Sequence, residues 1–224
     1  MAFIPEGVRL RIRRQYIART AAFRVKKLTN RNFTIISNNC WGGFIYQSYG
    51  LPYQTPTIGL FFMADDYVRF VRRLRHYISL PLIEVPNGQS KWYSSLSGKD
   101  NWGYPIGRLE DVEIHFLHYN RFEEANEKWR RRCERIQWNN MLIKFNDQNL
   151  AKQSHLESFD LLPSVHKVCF ISRPQPSLPS AIYVPGCEKN GFVRASYEPF
   201  GKSVHLDVTS FLNQMETKED VNNA

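Results

Sequence analysis

Short apolar runs alternate along the chain with longer segments in which apolar residues recur every three or four positions. The short runs are rich in β-branched and aromatic residues, which predicts strands, and the longer spacing predicts helices. The predicted strands cover residues 33–36, 58–62, 80–85, 112–117, 141–145, 165–171 and 181–184. The predicted helices cover residues 8–28, 65–79, 121–136, 151–161 and 208–215. This alternation indicates an α/β fold with a layered, mostly parallel sheet flanked by helices, preceded by a basic N-terminal helix.

The same pattern predicts a single large domain. We expect a basic helical leader at residues 1–31, one α/β domain at 32–216 and a polar tail at 217–224. Residues 87–104 are rich in Gly, Ser, Asn and Trp and form an irregular insertion in that domain. No apolar run approaches the roughly 20 residues that a bilayer-spanning helix needs. The four cysteines are scattered, which predicts free thiols in a reducing compartment and no metal site.

The net charge of +9 is concentrated in the leader. Residues 1–31 hold nine basic residues against Glu6 alone, which leaves the remaining 193 residues at +1. Three roles for this helix stay open: packing on its own domain, lying on anionic lipid, or binding nucleic acid, which is the least favoured. Its candidate membrane or anion contacts are Arg9, Arg11, Arg13, Arg14, Arg19 and Arg24. We therefore predict a cytoplasmic protein, with peripheral association at the inner face of the cell membrane as one alternative.

Polar residues follow several of the predicted strands. If these strands are parallel, their carboxyl ends meet at one edge of the sheet, where α/β proteins bind ligands. The candidate ligand-binding residues at that edge are Ser37, Asn38, Asn39, Trp41, Gly42, Gly43, Tyr119, Asn146 and Arg173. The glycine pair brings backbone amides close to a ligand oxygen, or else it satisfies turn geometry alone.

Three residues of this edge are candidates for catalysis. Cys40 is a nucleophile if His118 or His115 draws off its proton, with Asp111 or Asp147 orienting the histidine. The alternative is a half-buried thiol that only packs under the turn. His118 is a candidate general base or hydrogen-bond donor, or else a structural cap on a loop carbonyl. His115 is predicted to pack against a sheet face because strand faces alternate.

Several segments together resemble one bacterial family. They are residues 33–43 (FTIISNNCWGG), 55–60, 104–107 and 136–140, together with the stretch from His118 to Trp129. The family is the domain of unknown function 1919, whose members are commonly labelled exopolysaccharide or capsular polysaccharide biosynthesis proteins. The resemblance implies a role in assembling cell-surface glycans.

On this resemblance we expect a transferase that acts on an activated or lipid-linked sugar. No cofactor is predicted, and a nucleotide-sugar is compatible with the expected reaction. The first alternative is a non-catalytic module that binds a glycan or a partner at the membrane surface. The second is nucleic-acid binding through the basic leader. The reaction type, the sugar and the oligomeric state stay open.

Overall fold

The computed structural model describes residues 5–98, 103–164 and 166–215. The helices are α1 Glu6–Val25, α2 Trp41–Tyr49, α3 Ala64–Arg72, α4 Leu74–Ser79, α5 Tyr93–Leu96, α6 Phe122–Cys133, α7 Gln153–Asp160 and α8 Val208–Asn213. The strands are β1 Thr34–Ser37, β2 Ile83–Val85, β3 Ile106–Leu109, β4 Val112–His115, β5 Met141–Asn146, β6 Lys167–Ile171 and β7 Ala181–Tyr183. The predicted tail at 217–224 and residues 99–102 of the predicted insertion lie outside the described residues.

A four-stranded parallel sheet in the order β1-β5-β6-β7 forms the centre of the fold. Its strands alternate side chains between two apolar layers because successive residues point to opposite faces. Ile36 and Phe145 pack with α3, α6 and α7 on one face, whereas Ile35 and Phe170 pack with α2 and α8 on the other. The predicted parallel sheet flanked by helices, with a basic N-terminal helix, is therefore confirmed.

A second sheet, which is antiparallel and has the order β2-β3-β4, lies beside the first. β3 was not predicted from the sequence. The strand before His118 was expected in the parallel sheet, and that prediction is wrong because this strand, β4, pairs antiparallel with β3. β3 and β4 pair through a tight turn in which Glu110 adopts φ 55°. Gly107 in β3 leaves room for Leu82, because a Cβ at that position would lie 2.6 Å from Leu82 Cδ1.

The segment predicted as a strand at residues 58–62 is a connection between the two sheets. Phe62 N donates to Asn38 O at 3.0 Å beyond the end of β1, and Phe61 exchanges both backbone hydrogen bonds with His115 of β4. Gly59 interrupts the extended backbone with φ +70°, and a Cβ there would lie 3.0 Å from the ring of Tyr119. The apolar run at residues 58–62 therefore forms a single β-bridge, between Phe61 and His115, and not a strand.

One helical prediction needs correction, and one of the roles left open for the basic leader is observed. The helix expected at 65–79 divides into α3 and α4 because Arg73 leaves the helical region at φ −126° and ψ 40°. The leader helix packs on the domain: Arg24 Nε donates to Ser48 O of α2 at 3.0 Å, and Ile17 is buried. None of the helices in the described ranges is long and apolar enough to cross a membrane.

Candidate functional site

A cleft of about 370 Å³ opens between α1, the start of α2 and the carboxyl edge of the parallel sheet. We call it the sheet-edge cleft. Its wall is mainly apolar and is formed by Leu10, Phe44, Leu60, Phe61, Leu96, Tyr104 and Leu117. Its polar residues are Arg14, Asn39, His118, Gln148 and Asn149. An adjoining pocket of about 400 Å³ shares Arg14, Cys40, Phe44 and His118 with it.

The cleft contains side chains from both sheets, although His118 does not follow a parallel strand. In the register between β1 and β5, Ser37 lies opposite Lys144. The residues that follow these two strands therefore lie close together. The bridge between Phe61 and His115 then holds the end of β4 against this edge, and His118 N donates to Gly59 O at 3.0 Å. Of the side chains predicted to meet at this edge, the cleft brings together Asn39, Cys40 and His118, and the antiparallel sheet supplies the histidine.

A buried ion pair lies beneath the cleft. Lys144 Nζ binds the Glu198 carboxylate, and both side chains have no exposed area. Lys144 also donates to Asn39 Oδ1 at 2.9 Å and to Asn38 Oδ1 at 3.3 Å. Asn146 Nδ2 donates to Glu198 Oε1 at 3.0 Å, and Asn38 Nδ2 donates to Asn146 Oδ1 at 2.7 Å.

This network holds the asparagine side chains in one orientation. Burial beside Trp41 and Phe170 lowers the pKa of Lys144, whereas the charge of Glu198 acts in the opposite direction. Asn39 Oδ1 also accepts from Trp41 N at 3.1 Å, and Asn39 Nδ2 donates to Glu198 at 2.9 Å. A buried amide with its partners satisfied is rigid. Of the two asparagines that bind Lys144, Asn39 is the one that borders the cleft, and its side chain is held in one orientation there.

Cys40 lines both pockets, but its thiol is not activated. Burial raises the pKa of Cys40 to about 11, and the negative charge of Glu198 acts in the same direction. Its Sγ lies 3.8 Å from Leu60 O, and no described histidine hydrogen-bonds to it. His115 is enclosed instead, stacked on Phe61 with ring centroids 4.7 Å apart, and burial lowers its pKa to about 3. The predicted packing of His115 on a sheet face is confirmed.

We expect Cys40 to alkylate slowly with iodoacetamide at neutral pH. A thiol with a pKa of about 11 has about a hundredfold less thiolate than one near 9, and the thiolate is the reacting species. Peptide mapping by mass spectrometry against pH measures the rate, and the urea-unfolded chain is the control. Rapid alkylation with a midpoint near pH 7 would contradict this assignment and restore Cys40 as a nucleophile.

Close packing of α2 on β1 favours glycine at position 42, whereas a side chain at position 43 would make an ordinary contact with Ile58. Both glycines lie within the first turn of the helix. A Cβ on Gly42 would lie 3.3 Å from Ile35 Cγ2, and one on Gly43 would lie 3.4 Å from Ile58 Cδ1. Gly43 borders the adjoining pocket, whereas Gly42 and Trp41 are buried.

His118 is an exposed residue where the two pockets meet, and its ring is partly desolvated there. Burial lowers its pKa, and the positive charge of Arg14 acts in the same direction. Its imidazole is therefore neutral at neutral pH and able to accept a proton. None of the described residues hydrogen-bonds to its ring, which lines both pockets.

Other predicted site residues support the cleft from outside it. Asp147 accepts from Val193 N at 2.7 Å and from Ser172 N at 2.6 Å, so both carboxylate oxygens tie loops to the sheet edge. Tyr119 donates to Ile58 O at 2.8 Å. Arg173 is exposed and does not border either pocket. Ser37, Asn38 and Asn146 are buried beneath the cleft.

Two of the proposed anion contacts of the leader face inward and need correction. Arg13 and Arg24 are buried, and their guanidinium carbons lie 4.7 Å and 5.6 Å from the ring centroid of Phe200. Arg9 lies 3.9 Å from the ring of Tyr197. Arg11, Arg14 and Arg19 remain exposed, and Arg14 borders the cleft. The leader therefore forms one wall of the site.

Lys144 and Glu198 were not predicted from the sequence as site residues. Lys144 carried a signal, since it is the one charged residue inside an otherwise apolar predicted strand. Glu198 lies in a loop far along the chain and carried none. Across the described ranges, no group of three or more His, Cys, Asp or Glu residues is placed to hold a metal ion. The available chemistry is therefore hydrogen bonding by amides, proton acceptance by His118 and the positive charge of Arg14.

The fold is that of an α/β protein with a cleft of mixed polar and apolar lining at the carboxyl edge of a parallel sheet. A family model described as domain of unknown function (DUF1919) matches residues 11–214, and the chain belongs to that family. An uncharacterized protein of Haemophilus influenzae is 35% identical over 173 residues, which cover 77% of this chain and 78% of the relative. The family membership expected from the sequence is confirmed.

Proposed function

We propose that this protein is a transferase of cell-surface polysaccharide biosynthesis that acts on an activated or lipid-linked sugar in the sheet-edge cleft. The observation that carries the proposal is a mainly apolar cleft lining that also includes five polar side chains. An apolar wall suits a lipid chain, whereas amides suit sugar hydroxyls. The pathway itself rests on the family resemblance.

The polar residues of the cleft offer the groups that a transfer reaction needs. Neutral His118 takes the proton of the acceptor hydroxyl while that oxygen forms its bond to the transferred group. The leaving phosphate departs with the electron pair of the broken bond, and the charge of Arg14 stabilises it. Gln148 Nε2 and Asn149 Oδ1 hold hydroxyls in place, since the other amide atom of each side chain bonds within the protein. No step requires Cys40 or a metal ion.

Filling the apolar wall tests whether the ligand binds there. Leu117 is 37% exposed and borders the cleft, so Leu117→Trp fills space without disturbing the core. We expect affinity for a polyprenyl-diphosphate-linked sugar in detergent micelles to fall about 5- to 150-fold, since overpacking costs about 1–3 kcal/mol. Fluorescence titration measures the affinity. Leu161→Trp, at a site that is 80% exposed, is the matched control.

Equal affinity in both variants would place the ligand elsewhere and contradict the proposal. A second titration with UDP-glucose distinguishes the two substrate classes. If the wall holds a lipid chain, Leu117→Trp lowers the affinity for the lipid-linked sugar more than the affinity for the nucleotide-sugar. If the affinities for both ligands fall equally, the cleft holds a group that the two ligands share, which argues against a lipid site.

One observation favours a non-catalytic glycan-binding module as the second candidate. The Cys40 thiol is protonated and both oxygens of Asp147 bind backbone amides, so His118 alone is left for proton transfer. A module needs only the amides and the apolar wall. The His118 substitution described in the Discussion separates the two, because a module tolerates it.

A further inference from the structure

Helix α1 has an outer face that none of the described elements covers. Its inward face is centred on Arg13, Ile17 and Arg24, all of which are buried. About 100–120° around the helix from that line, Ile12 is 56% exposed and Phe23 is 64% exposed. Four of the ten large exposed hydrophobic residues in the described chain lie on this one helix, namely Val8, Ile12, Tyr16 and Phe23. Exposed apolar surface is therefore concentrated on α1 and flanks its outer face.

The same face is cationic. Arg11, Arg19 and Lys26 are exposed and lie on the outward side at the helical spacing of about 100° per residue. The one acidic residue of the helix, Glu6, accepts from Ser196 Oγ at 2.7 Å and does not neutralise them. A face of like charge repels a second copy of the chain and complements an anionic surface. Exposed Phe and Ile beside the cations fit the acyl boundary of a bilayer better than a phosphate backbone alone.

We propose that the outer face of α1 docks the protein on an anionic lipid bilayer. Leu10 and Arg14 border the sheet-edge cleft from the flank of α1 that lies away from Ile12 and Phe23, so docking leaves the cleft uncovered. The proposal stands on the helix surface alone and does not depend on the reaction proposed above.

Vesicle sedimentation with the full chain, in the absence of any sugar, tests this docking. We expect binding to phosphatidylcholine vesicles that contain phosphatidylglycerol, with weaker binding as salt rises and little binding to pure phosphatidylcholine. The triple variant Arg11→Gln/Arg19→Gln/Lys26→Gln should bind about a hundredfold more weakly, since each cation contributes about fivefold. Ile12→Ser/Phe23→Ser should lower binding at least about tenfold.

Matched controls change the same residue types outside α1. They are Arg72→Gln/Arg130→Gln/Arg131→Gln for charge and Leu161→Ser/Val204→Ser for exposed apolar surface, and both should bind vesicles as the parent does. An equal loss in the controls, or no vesicle binding by the parent chain, would overturn the docking. Binding to duplex DNA in place of vesicles, dependent on the same three cations, would also overturn it. All positions are exposed, and circular dichroism verifies that each variant is folded.

Discussion

Replacement of Lys144 by methionine is expected to lower the free energy of unfolding by about 3–5 kcal/mol. The Glu198 carboxylate has no exposed area and would lose the cation that it binds. Asn39 and Asn146 would still donate to it at 2.9 and 3.0 Å, but neutral donors do not replace a charge. Urea unfolding followed by tryptophan fluorescence measures the change.

The matched control is Lys128→Met, which removes the same residue type from an exposed pair with Glu124. An exposed ion pair contributes at most about 1 kcal/mol, so this variant should change the stability little. The double variant Lys144→Met/Glu198→Gln should recover most of the loss, because it removes both charges of the buried pair. A Lys144→Met variant as stable as Lys128→Met would show that the buried pair is not needed for the fold.

The second large effect is expected at His118. If the protein is a transferase, His118→Gln should lower the turnover number by about 10²–10⁴-fold, the usual contribution of a general base. Its KM should change little, because glutamine keeps the size and hydrogen-bonding capacity of the side chain. Transfer of radiolabelled sugar from a nucleotide-sugar to a lipid acceptor measures both constants. Unchanged function in this variant would support the glycan-binding module instead.

The pH profile gives an independent test of the same role. Burial and the charge of Arg14 lower the pKa of His118, so the rate should hold as pH falls through 6.5 and decline only at lower pH. Arg14→Gln removes one of these two causes and therefore raises the pKa of His118. The decline of the rate at low pH, the acid limb of the profile, should then begin at a higher pH. Lys128→Gln, a neutralised cation outside the cleft, should leave the limb in place. An identical acid limb in parent and Arg14→Gln would show that the limb does not report His118.

Much of the parallel sheet could be predicted from local pattern. The runs around Ile35, Ile143 and Phe170 are apolar on both faces, as strands covered by helices on both sides must be. The run at residues 58–62 has the same apolar character but did not form a strand. Gly59 takes a positive φ beneath Tyr119, and a contact so distant in sequence leaves no local pattern.

The site was predicted only in part, for a related reason. Asn39, Cys40 and His118 were found because polar residues follow apolar strands, and all three border the cleft. Asp147 and Asn146 follow a strand in the same way but satisfy loop amides and a buried network instead. Glu198 completes that network from a separate loop. Local pattern locates the edge of a sheet, but it does not tell which side chains point outward there.

By itself, the sequence determined the α/β class, the order of most elements, the family and the concentration of charge in the first helix. Those properties follow from periodicity, composition and motif, which are local. The tertiary structure decided that Arg13 and Arg24 face inward while Arg14 borders the cleft, that the thiol of Cys40 is protonated, and that Lys144 pairs with Glu198. Each of these depends on burial and on a partner distant in the chain. Desolvation and charge proximity, which set the chemistry of the site, exist only once the chain has folded.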